Sequence, residues 1–419
     1  MRFSSFVDRV AGKGAAAWRI HFEALRLRAA GREIFLLTIG EPDQPPPGPV
    51  IAATADALKR RRVGYAPILG EPELRAAIAA RFAARTGRPC AAANVAIVPG
   101  TQGGLFAALH CLAGAGDEVI VPEPMYATYE AVVGSTGARL VNIPSLPAKG
   151  FHPDLGALAR AITERTRVVW INSPHNPTGA VLARAEIEAV AELCRRHDLW
   201  LLSDEVYEDL AFARPHVSPW SLPGMEERTV VVSSLSKSHA IPGFRLGWVI
   251  GPEPLMPHLF NLLLCSLYGG PPFIQDGALA ALTHELPEVK ALAEDYRRRA
   301  AMLSAVLAKA PGCRTTPPEG GMFVLLDVRG SGLGSSEFAR RLLAEEGVAV
   351  LPCDGFGASA VGQLRISLSL QDELLAEAGR RILRFAARCA DERSAQAKRG
   401  EFADDEPRAG DRRGGELVR

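Results

Sequence analysis

The period of hydrophobic and polar positions changes along the chain, and these changes predict which segments form helices and which form strands. Apolar residues recur at helical spacing over 15–30, 50–61 and 71–85, whereas the segment 33–48 is extended and rich in proline. From residue 94 onward, short runs rich in β-branched residues alternate with helical patterns. The predicted strands are 94–98, 118–122, 139–143, 167–172, 199–203 and 229–233, and the helices between them include 102–113, 154–163 and 184–197.

This alternation is typical of an α/β fold whose mostly parallel sheet carries helices on both faces. Ligands of such sheets bind beyond the carboxyl ends of the strands. After residue 285 the pattern changes to a long helix rich in Arg, Ala and Leu, followed by shorter elements. The predicted later elements are strands at 322–327, 348–352 and 363–369 and helices at 335–346 and 372–389.

A chain of 419 residues exceeds what one core usually holds, so two domains are expected. The last stretch is charged and nearly free of apolar residues, which is typical of a disordered tail. The predicted parts are an N-terminal arm and helix at 1–48 that pack with the small domain, a large domain at 49–285, a small α+β domain at 286–390 and a disordered tail at 391–419.

Composition limits the classes of partner. The formal net charge is +1, which gives no electrostatic reason to expect nucleic acid or an anionic membrane. No apolar run is long enough to span a bilayer, and we see no signal peptide. Seven cysteines, none in a CxxC pair, indicate reduced thiols in a cytoplasmic protein and neither a disulfide frame nor a metal site.

One lysine follows a predicted strand in a serine-rich turn. The stretch Ser234-Leu235-Ser236-Lys237 comes directly after 229–233, and Arg245 follows eight residues later between glycines. The chain has only seven lysines, so an amine in this position stands out. Taken alone, the stretch is better interpreted as a solvated surface turn.

Three further turns follow predicted strands. Gly100, Thr101 and Gln102 open a helix, where free backbone N–H groups attract a phosphate. Asn176 stands in a turn fixed by prolines. Asp204 ends its own strand and is either a helix N-cap or a ligand-binding carboxylate.

One ligand explains the four turns together. It has a phosphate, an aldehyde that reacts with an amine, a ring nitrogen that pairs with a carboxylate, and a phenolic oxygen. Pyridoxal 5′-phosphate (PLP) has all four groups. Nucleotide binding is disfavoured, because the chain contains no GxxxxGK[ST] and no GxGxxG after a strand.

The order Asn-Pro-x-Gly, Asp-x-x-Tyr and Ser-x-Ser-Lys with a later Arg resembles the fold type I PLP enzymes, specifically the class I/II aminotransferases, over residues 15 to 388. The resemblance implies that Lys237 holds the cofactor as a Schiff base and moves the proton at the substrate α-carbon. It implies that Asp204 pairs with the pyridine N–H, and that Asn176 and Tyr207 bond the ring hydroxyl oxygen. The residues that it places around the phosphate are Gly100, Thr101, Gln102, Ser234, Ser236 and Arg245.

The same resemblance assigns the substrate side of the site. Tyr126 stacks on the ring, and Arg365 clamps the α-carboxylate beside Gly40 and Asn176. Tyr65 reaches the phosphate of a neighbouring subunit, which implies a homodimer with shared active sites. The implied activity is a ping-pong transfer of an amino group from an amino acid to a 2-oxo acid.

Whole stretches outside the shared motifs carry information on the substrate. The runs at 14–21, 123–130, 216–225 and 267–276 resemble those of the bacterial arginine–pyruvate aminotransferases. Aspartate-type relatives usually place Ser or Thr near 15–17, where this chain has only alanine. We therefore expect a basic or bulky donor such as L-arginine and an acceptor such as pyruvate.

A cationic donor side chain needs a carboxylate near the entrance of the site. Glu41, Asp43 and Glu123 are the candidates, and each is alternatively a solvated loop charge. Open alternatives are an aspartate, aromatic or alanine aminotransferase and a PLP-dependent β-lyase. A PLP-binding transcriptional regulator is disfavoured, because too few residues precede Gly40 to form a DNA-binding domain.

Overall fold

The structure, a computed structural model, describes residues 1–12 and 14–404. The helices within those residues are α1 (Ser5–Arg9), α2 (Gly14–Ala17), α3 (Arg19–Ala29), α4 (Gly48–Lys59), α5 (Pro72–Thr86), α6 (Gly100–Leu112), α7 (Tyr129–Thr136), α8 (Leu155–Ala161), α9 (Arg184–Arg196), α10 (Met256–Ser266), α11 (Pro272–Thr283), α12 (Pro287–Leu307), α13 (Ser335–Glu346) and α14 (Asp372–Asp404). The strands are β1 (Phe35–Leu36), β2 (Val95–Val98), β3 (Glu118–Glu123), β4 (Arg139–Pro144), β5 (Thr166–Asn172), β6 (Trp200–Asp204), β7 (Thr229–Ser234), β8 (Gly247–Ile250), β9 (Arg314–Thr316), β10 (Phe323–Asp327), β11 (Val348–Ala349), β12 (Leu351–Pro352) and β13 (Gln363–Ser367).

A seven-stranded sheet forms the centre of the larger unit, with the strand order β2-β8-β7-β6-β5-β3-β4. Its neighbours pair in parallel except at β8, which is antiparallel to both β2 and β7. The mostly parallel α/β fold predicted from the sequence is confirmed. The carboxyl ends of β2, β5, β6 and β7 therefore lie along one edge of the sheet.

Apart from the edge strand β4, the sheet is buried on both faces, which explains why its inner strands are almost continuously apolar. Every residue of β2 and β7 is buried. Helix α6 packs on one face together with Trp170, and α9 packs on the other with Ile187 and Val190. The six strands predicted from 94 to 233 are all present, and their ends agree with the prediction within one residue.

The C-terminal unit is built on an antiparallel sheet of four strands in the order β12-β13-β10-β9. Its core lies between this sheet and helices α12, α13 and α14, and it includes Tyr296, Phe338 and Phe385. The N-terminal segment lies against this unit, because β1 pairs in parallel with β11 and Ala24 packs on Leu343. The domain boundaries at 48, 285 and 390 remain predictions.

Two predicted elements, a helix in the N-terminal segment and a strand in the C-terminal unit, are each divided into two in the structure. The predicted helix 15–30 is divided at Trp18 into α2 and α3. The predicted strand 348–352 is two strands in different sheets, since β11 pairs with β1 and β12 pairs with β13. The chain changes sheets at Val350, and a single apolar run gives no sign of such a change.

The predicted disordered tail at 391–419 is wrong over its first part, because α14 continues to Asp404. The segment consists largely of good helix formers, and two of its first residues contact the rest of the C-terminal unit. Arg341 Nη1 lies 2.9 Å from Glu392 Oε2, and Arg393 Nη1 donates to the Gly330 carbonyl at 2.5 Å. The remainder of the predicted tail, residues 405–419, lies outside the described residues.

Candidate active site

A cavity of about 160 Å³ opens beyond the carboxyl ends of β2, β5, β6 and β7. The sequence-predicted residues that line it are Thr101, Gln102, Tyr126, Asn176, Asp204, Tyr207, Ser234, Ser236, Lys237 and Arg245. A wider cavity of about 350 Å³ adjoins it, and Gly40 and Arg365 are in its lining. Lys237, Tyr126, Asn176 and Tyr207 line both cavities. We refer to these cavities as the inner and outer pockets.

Lys237 follows β7 by three residues and places its amine where the two pockets meet. Its Nζ donates a hydrogen bond to the Gly40 carbonyl oxygen at 2.6 Å. Burial, together with the positive charges of Arg365 and Arg245, lowers the pKa of this amine to about 8. The uncharged fraction of this amine near neutral pH is therefore much larger than that of an ordinary lysine, and the uncharged form is the one that acts as a nucleophile or base.

Asp204 ends β6 and is buried at the bottom of the inner pocket. Its carboxylate accepts hydrogen bonds from the Tyr129 hydroxyl at 2.6 Å and from the Val206 backbone N–H at 3.2 Å. Burial raises its pKa to about 6, although both hydrogen bonds act in the opposite direction. A cationic group beside this carboxylate would favour its ionised form.

Asn172 ends β5 and connects Asp204 with Asn176. Its Nδ2 donates to the Asp204 carbonyl oxygen at 2.9 Å, and its Oδ1 accepts from the Asn176 backbone N–H at 2.8 Å. The Asn176 amide in turn donates to the Tyr207 hydroxyl oxygen at 3.3 Å. Burial holds the pKa of Tyr207 well above its ordinary value. The polar groups on this side of the pocket are thus held by one another.

The start of α6 forms the opposite end of the inner pocket. Gly100 has φ +76° and packs against the Arg245 guanidinium, so a side chain at this position would collide with it. The Thr101 hydroxyl donates to Ser234 Oγ at 3.0 Å, and Ser234 Oγ also accepts from the Ser236 N–H at 3.3 Å. Free N–H groups, hydroxyls and a guanidinium at a helix start form a favourable anion site.

Arg365 projects from β13 into the outer pocket and is only 1% exposed. Its Nη1 donates to Asn176 Oδ1 at 3.0 Å, and its Nη2 donates to the Thr38 carbonyl at 2.7 Å. The guanidinium stacks on the Phe323 ring with 4.1 Å between its carbon and the centroid. Its Nε has no partner within the described structure. A buried guanidinium with donor capacity to spare suits a carboxylate ligand.

Tyr65 is the one predicted site residue that lies away from both pockets. It is 88% exposed, and its ring packs edge-on against Tyr268 at 5.1 Å between centroids. The prediction placed it in the site of a neighbouring subunit, so no contact with this chain's own pocket is expected.

Among the residues that the structure brings to the site and that sequence reasoning missed are Trp18, Tyr129, Asn172 and Phe323. Tyr129 follows Tyr126 by three residues, and this spacing at a helix start was an available signal. Asn172 was visible as the polar last residue of a predicted strand. Nothing in the sequence pattern points to Trp18 or Phe323.

A charged cluster lies behind Asp204, on the side away from the pocket. Glu205 accepts hydrogen bonds from Ser203 and Ser218, both at 2.8 Å, and lies 3.0 Å from His216 Nε2. In the described structure, one group of side chains has a spacing that suits a metal ion, and it consists of Glu205, Glu208 and His216. Because the protein's own groups already engage Glu205, the cluster is better interpreted as a structural charge network. The absence of a metal remains a prediction.

Comparison with known proteins identifies the family. Residues 32–382 match the family model described as aminotransferase class I and II. The chain is 51% identical to an arginine–pyruvate transaminase of Pseudomonas aeruginosa, over 92% of this chain and 98% of that protein. It is 35% identical to an aspartate/prephenate aminotransferase of Thermus thermophilus, over 90% of this chain and 97% of that one.

Solved structures agree with this result. An aspartate aminotransferase from Thermus thermophilus with maleate superimposes with a TM-score of 0.87 at 35% identity and covers 92% of this chain and 100% of its own. The aspartate aminotransferase from Rhizobium meliloti gives a TM-score of 0.87 at 29% identity, over 93% of this chain and 99% of its own. In the described residues, no helix is both long and apolar enough for a bilayer crossing. The chain belongs to the class I and II aminotransferase family, and it is an aminotransferase.

Proposed function

We propose that this aminotransferase uses PLP to transfer the α-amino group of L-arginine, or of a closely related cationic amino acid, to pyruvate. The observation that carries the proposal is the arrangement around Lys237. Its amine, with a pKa lowered to about 8, shares the inner pocket with the buried Asp204 carboxylate and the outer pocket with the Arg365 guanidinium.

The residues of the inner pocket fit PLP. The free N–H groups and hydroxyls at the start of α6, together with Arg245, suit its phosphate. A protonated ring nitrogen would satisfy Asp204, whose pKa is raised because it is buried without a cation in contact. Asn176 and Tyr207 would hold the ring hydroxyl oxygen, and the Tyr126 ring would cover one face. Bound there, PLP supplies the electron sink that makes the substrate α-proton acidic.

The protein's own groups then position the substrate and move its proton. Arg365 binds the α-carboxylate through two parallel hydrogen bonds, which orients the α-carbon toward Lys237. The uncharged Nζ of Lys237 accepts the α-proton and returns it on the cofactor side, as a general base and then a general acid. Asp204 holds the ring-nitrogen proton in place throughout, and Tyr129 fixes the orientation of that carboxylate.

The choice of substrate is supported by one relative and by the outer pocket. The Pseudomonas aeruginosa protein, 51% identical over nearly the whole of both chains, is named an arginine–pyruvate transaminase. Ala17 is buried, as expected for an apolar replacement of the aspartate-type Ser or Thr. The side chains of Ala15 and Ala16, which belong to the same prediction, lie outside those that the structure describes.

An aspartate aminotransferase is the second candidate, because several relatives with that name are 31–34% identical. A dicarboxylate donor would need a second cation in the outer pocket. Among the residues that the structure describes, Arg365 and Lys237 are the basic residues in the lining of that pocket, and the lining also contains Glu41. This charge distribution favours the cationic donor.

A panel of amino donors and keto-acid acceptors tests the proposed function. Arginine, lysine, leucine, alanine and aspartate are each paired with pyruvate and with 2-oxoglutarate, and kcat/KM is measured for every pair. Arginine with pyruvate is expected to exceed aspartate with 2-oxoglutarate by at least about 100-fold. Turnover of aspartate with none of arginine would contradict the proposed donor. Release of ammonia from a β-substituted amino acid, with no amino transfer, would instead identify a β-lyase.

We further propose a homodimer in which Tyr65 completes the phosphate site of the partner. Tyr65 is largely exposed and lies away from this chain's pocket, beside the exposed Tyr268. Other apolar side chains on the same subunit are also exposed, among them Val63 and Phe260. Burial of such residues between two copies would remove apolar surface from water.

A further inference from the structure

Within the described part of the chain, the lining of the outer pocket contains one carboxylate, that of Glu41. Glu41 follows Gly40, whose carbonyl accepts the hydrogen bond from Lys237, so it is covalently fixed beside the reacting amine. The residue is exposed at the mouth of the pocket, and it forms no hydrogen bond or salt bridge with any residue that the structure describes. Its charge is therefore free to interact with a ligand.

The other two candidate carboxylates are already used within the chain. Asp43 accepts from both terminal nitrogens of Arg299, at 2.7 and 3.0 Å, and Arg299 is 4% exposed. Glu123 accepts from the Ala358 N–H at 3.1 Å and from the Ser359 hydroxyl at 3.3 Å. Each holds a loop in place, and neither lines the outer pocket.

An aromatic ring lies in the same lining. Trp18 precedes α3, and its indole packs edge-on against the His21 ring at 5.7 Å between centroids. His21 Nδ1 is 2.7 Å from the Thr38 hydroxyl, and the Thr38 carbonyl accepts from Arg365 at 2.7 Å. The indole is thus positioned relative to the guanidinium that clamps the α-carboxylate. A planar cation stacks favourably on an indole face.

The remaining charges of the pocket favour a carboxylate at its mouth for a cationic donor. Lys237 and Arg365 face the same space, and without a compensating anion they would repel a third positive charge. Glu41 supplies that anion, and it acts against the two guanidinium charges that lower the pKa of Lys237. A neutral donor side chain is not repelled by Lys237 and Arg365, so it needs no compensating anion.

We propose that Glu41 and Trp18 together form the subsite that selects a cationic, planar donor side chain, Glu41 by charge and Trp18 by stacking. This specificity rests on the function proposed above. It assigns a role to two residues that neither hold the cofactor nor move the proton.

The variant Glu41→Gln tests the subsite, because it keeps the shape of the side chain and removes its charge. Binding to the PLP-loaded enzyme is measured by calorimetry with 5-guanidinopentanoate, which is arginine without its amino group, and with the uncharged 5-ureidopentanoate. We expect the variant to bind the guanidino acid about 10- to 100-fold more weakly and the ureido acid unchanged. The ratio of kcat/KM for arginine over citrulline should fall by the same factor.

Trp18→Leu is expected to weaken the binding of the guanidino acid by about two- to fivefold and to have a smaller effect on the binding of the ureido acid. Asp43→Asn is the matched control, two residues from Glu41. It breaks a contact with Arg299 and should lower thermal stability while it leaves the arginine-to-citrulline ratio unchanged.

The outcomes separate the subsite from the proposed function. If Glu41→Gln loses the same affinity for the charged and the uncharged ligand, or loses affinity for neither, the subsite is overturned. The proposed donor still stands in that case, provided that the wild type turns over arginine. Failure of the wild type to use arginine or lysine at all overturns the proposed donor class, and the subsite with it.

Discussion

At the scale of single residues, the buried carboxyl of Asp204 lowers the stability of the cofactor-free protein at neutral pH. This carboxyl is buried, and in the described residues the Tyr129 phenol and the Val206 backbone N–H are the groups that donate to it. The pKa raised to about 6 means that the folded protein without its cofactor binds a proton here more tightly than the unfolded chain does. Stability from this group is therefore present below about pH 4 and is lost as the pH rises through about 6.

The variant Asp204→Asn tests this interpretation. The amide keeps the shape and removes the buried charge, so the cofactor-free variant should exceed the cofactor-free wild type in free energy of unfolding by up to about 3 kcal/mol at pH 7.5. The difference should shrink toward zero near pH 4. Urea unfolding of both proteins across this range measures it. A difference that does not vary with pH would contradict the assigned cause.

Sequence reasoning predicted Asp204 but missed Tyr129, which donates a hydrogen bond to it. Asp204 was predicted from its place after an apolar strand, and the structure puts it in the pocket. The phenol that orients it was missed, although Tyr129 stands three residues after Tyr126. Its ring stacks on that of Trp170 with 4.0 Å between centroids, and the local sequence pattern around Tyr129 gives no sign of this neighbour on β5.

At the scale of elements, the anion site depends on a close crossing of β8 and the start of α6. Gly247 begins β8 and lies against the backbone of Gly100 and Thr101. A Cβ at Gly247 would lie 2.7 Å from the Gly100 carbonyl carbon and 2.9 Å from the Thr101 nitrogen. Neither group can move independently of the helix, so only glycine fits.

Gly247→Ala is expected to displace the first turn of α6. The variant should lose about 1–3 kcal/mol of stability, as overpacked cores do, and should bind PLP more weakly because the N–H groups of that turn shift. Fluorescence titration of the cofactor-free protein with PLP measures the affinity. Gly114→Ala, near the other end of α6 and with no atom within 4 Å of the added carbon, should change neither quantity. Unchanged PLP affinity in Gly247→Ala would contradict the role of the crossing.

The central strands β5, β6 and β7 of the large sheet were predictable because their residues are almost all buried and form apolar runs. β8 was not predicted as a strand, since its residues follow the Arg245 motif and its antiparallel direction leaves no mark in the sequence. The division of 348–352 between two sheets and the extension of α14 to Asp404 depend on pairing partners far along the chain. Local periodicity gives no information about such partners.

At the scale of the whole molecule, the site joins parts that lie far apart in sequence. Arg365 on β13 of the C-terminal unit bonds Asn176 of the large unit and the carbonyl of Thr38 in the N-terminal segment. Lys237 reaches the same segment through Gly40. Spacing alone could not bring these residues together, and only the family resemblance placed Arg365 and Gly40 in the site.

The central claim is that the amine of Lys237 carries PLP in this pocket. The direct measurement is borohydride reduction of the purified holoenzyme, followed by proteolysis and mass spectrometry of the peptides. The account predicts a pyridoxyl group on the peptide that contains Lys237 and none on that peptide from Lys237→Ala. A reduced holoenzyme with that peptide unmodified, or with the label on another lysine, would contradict the account.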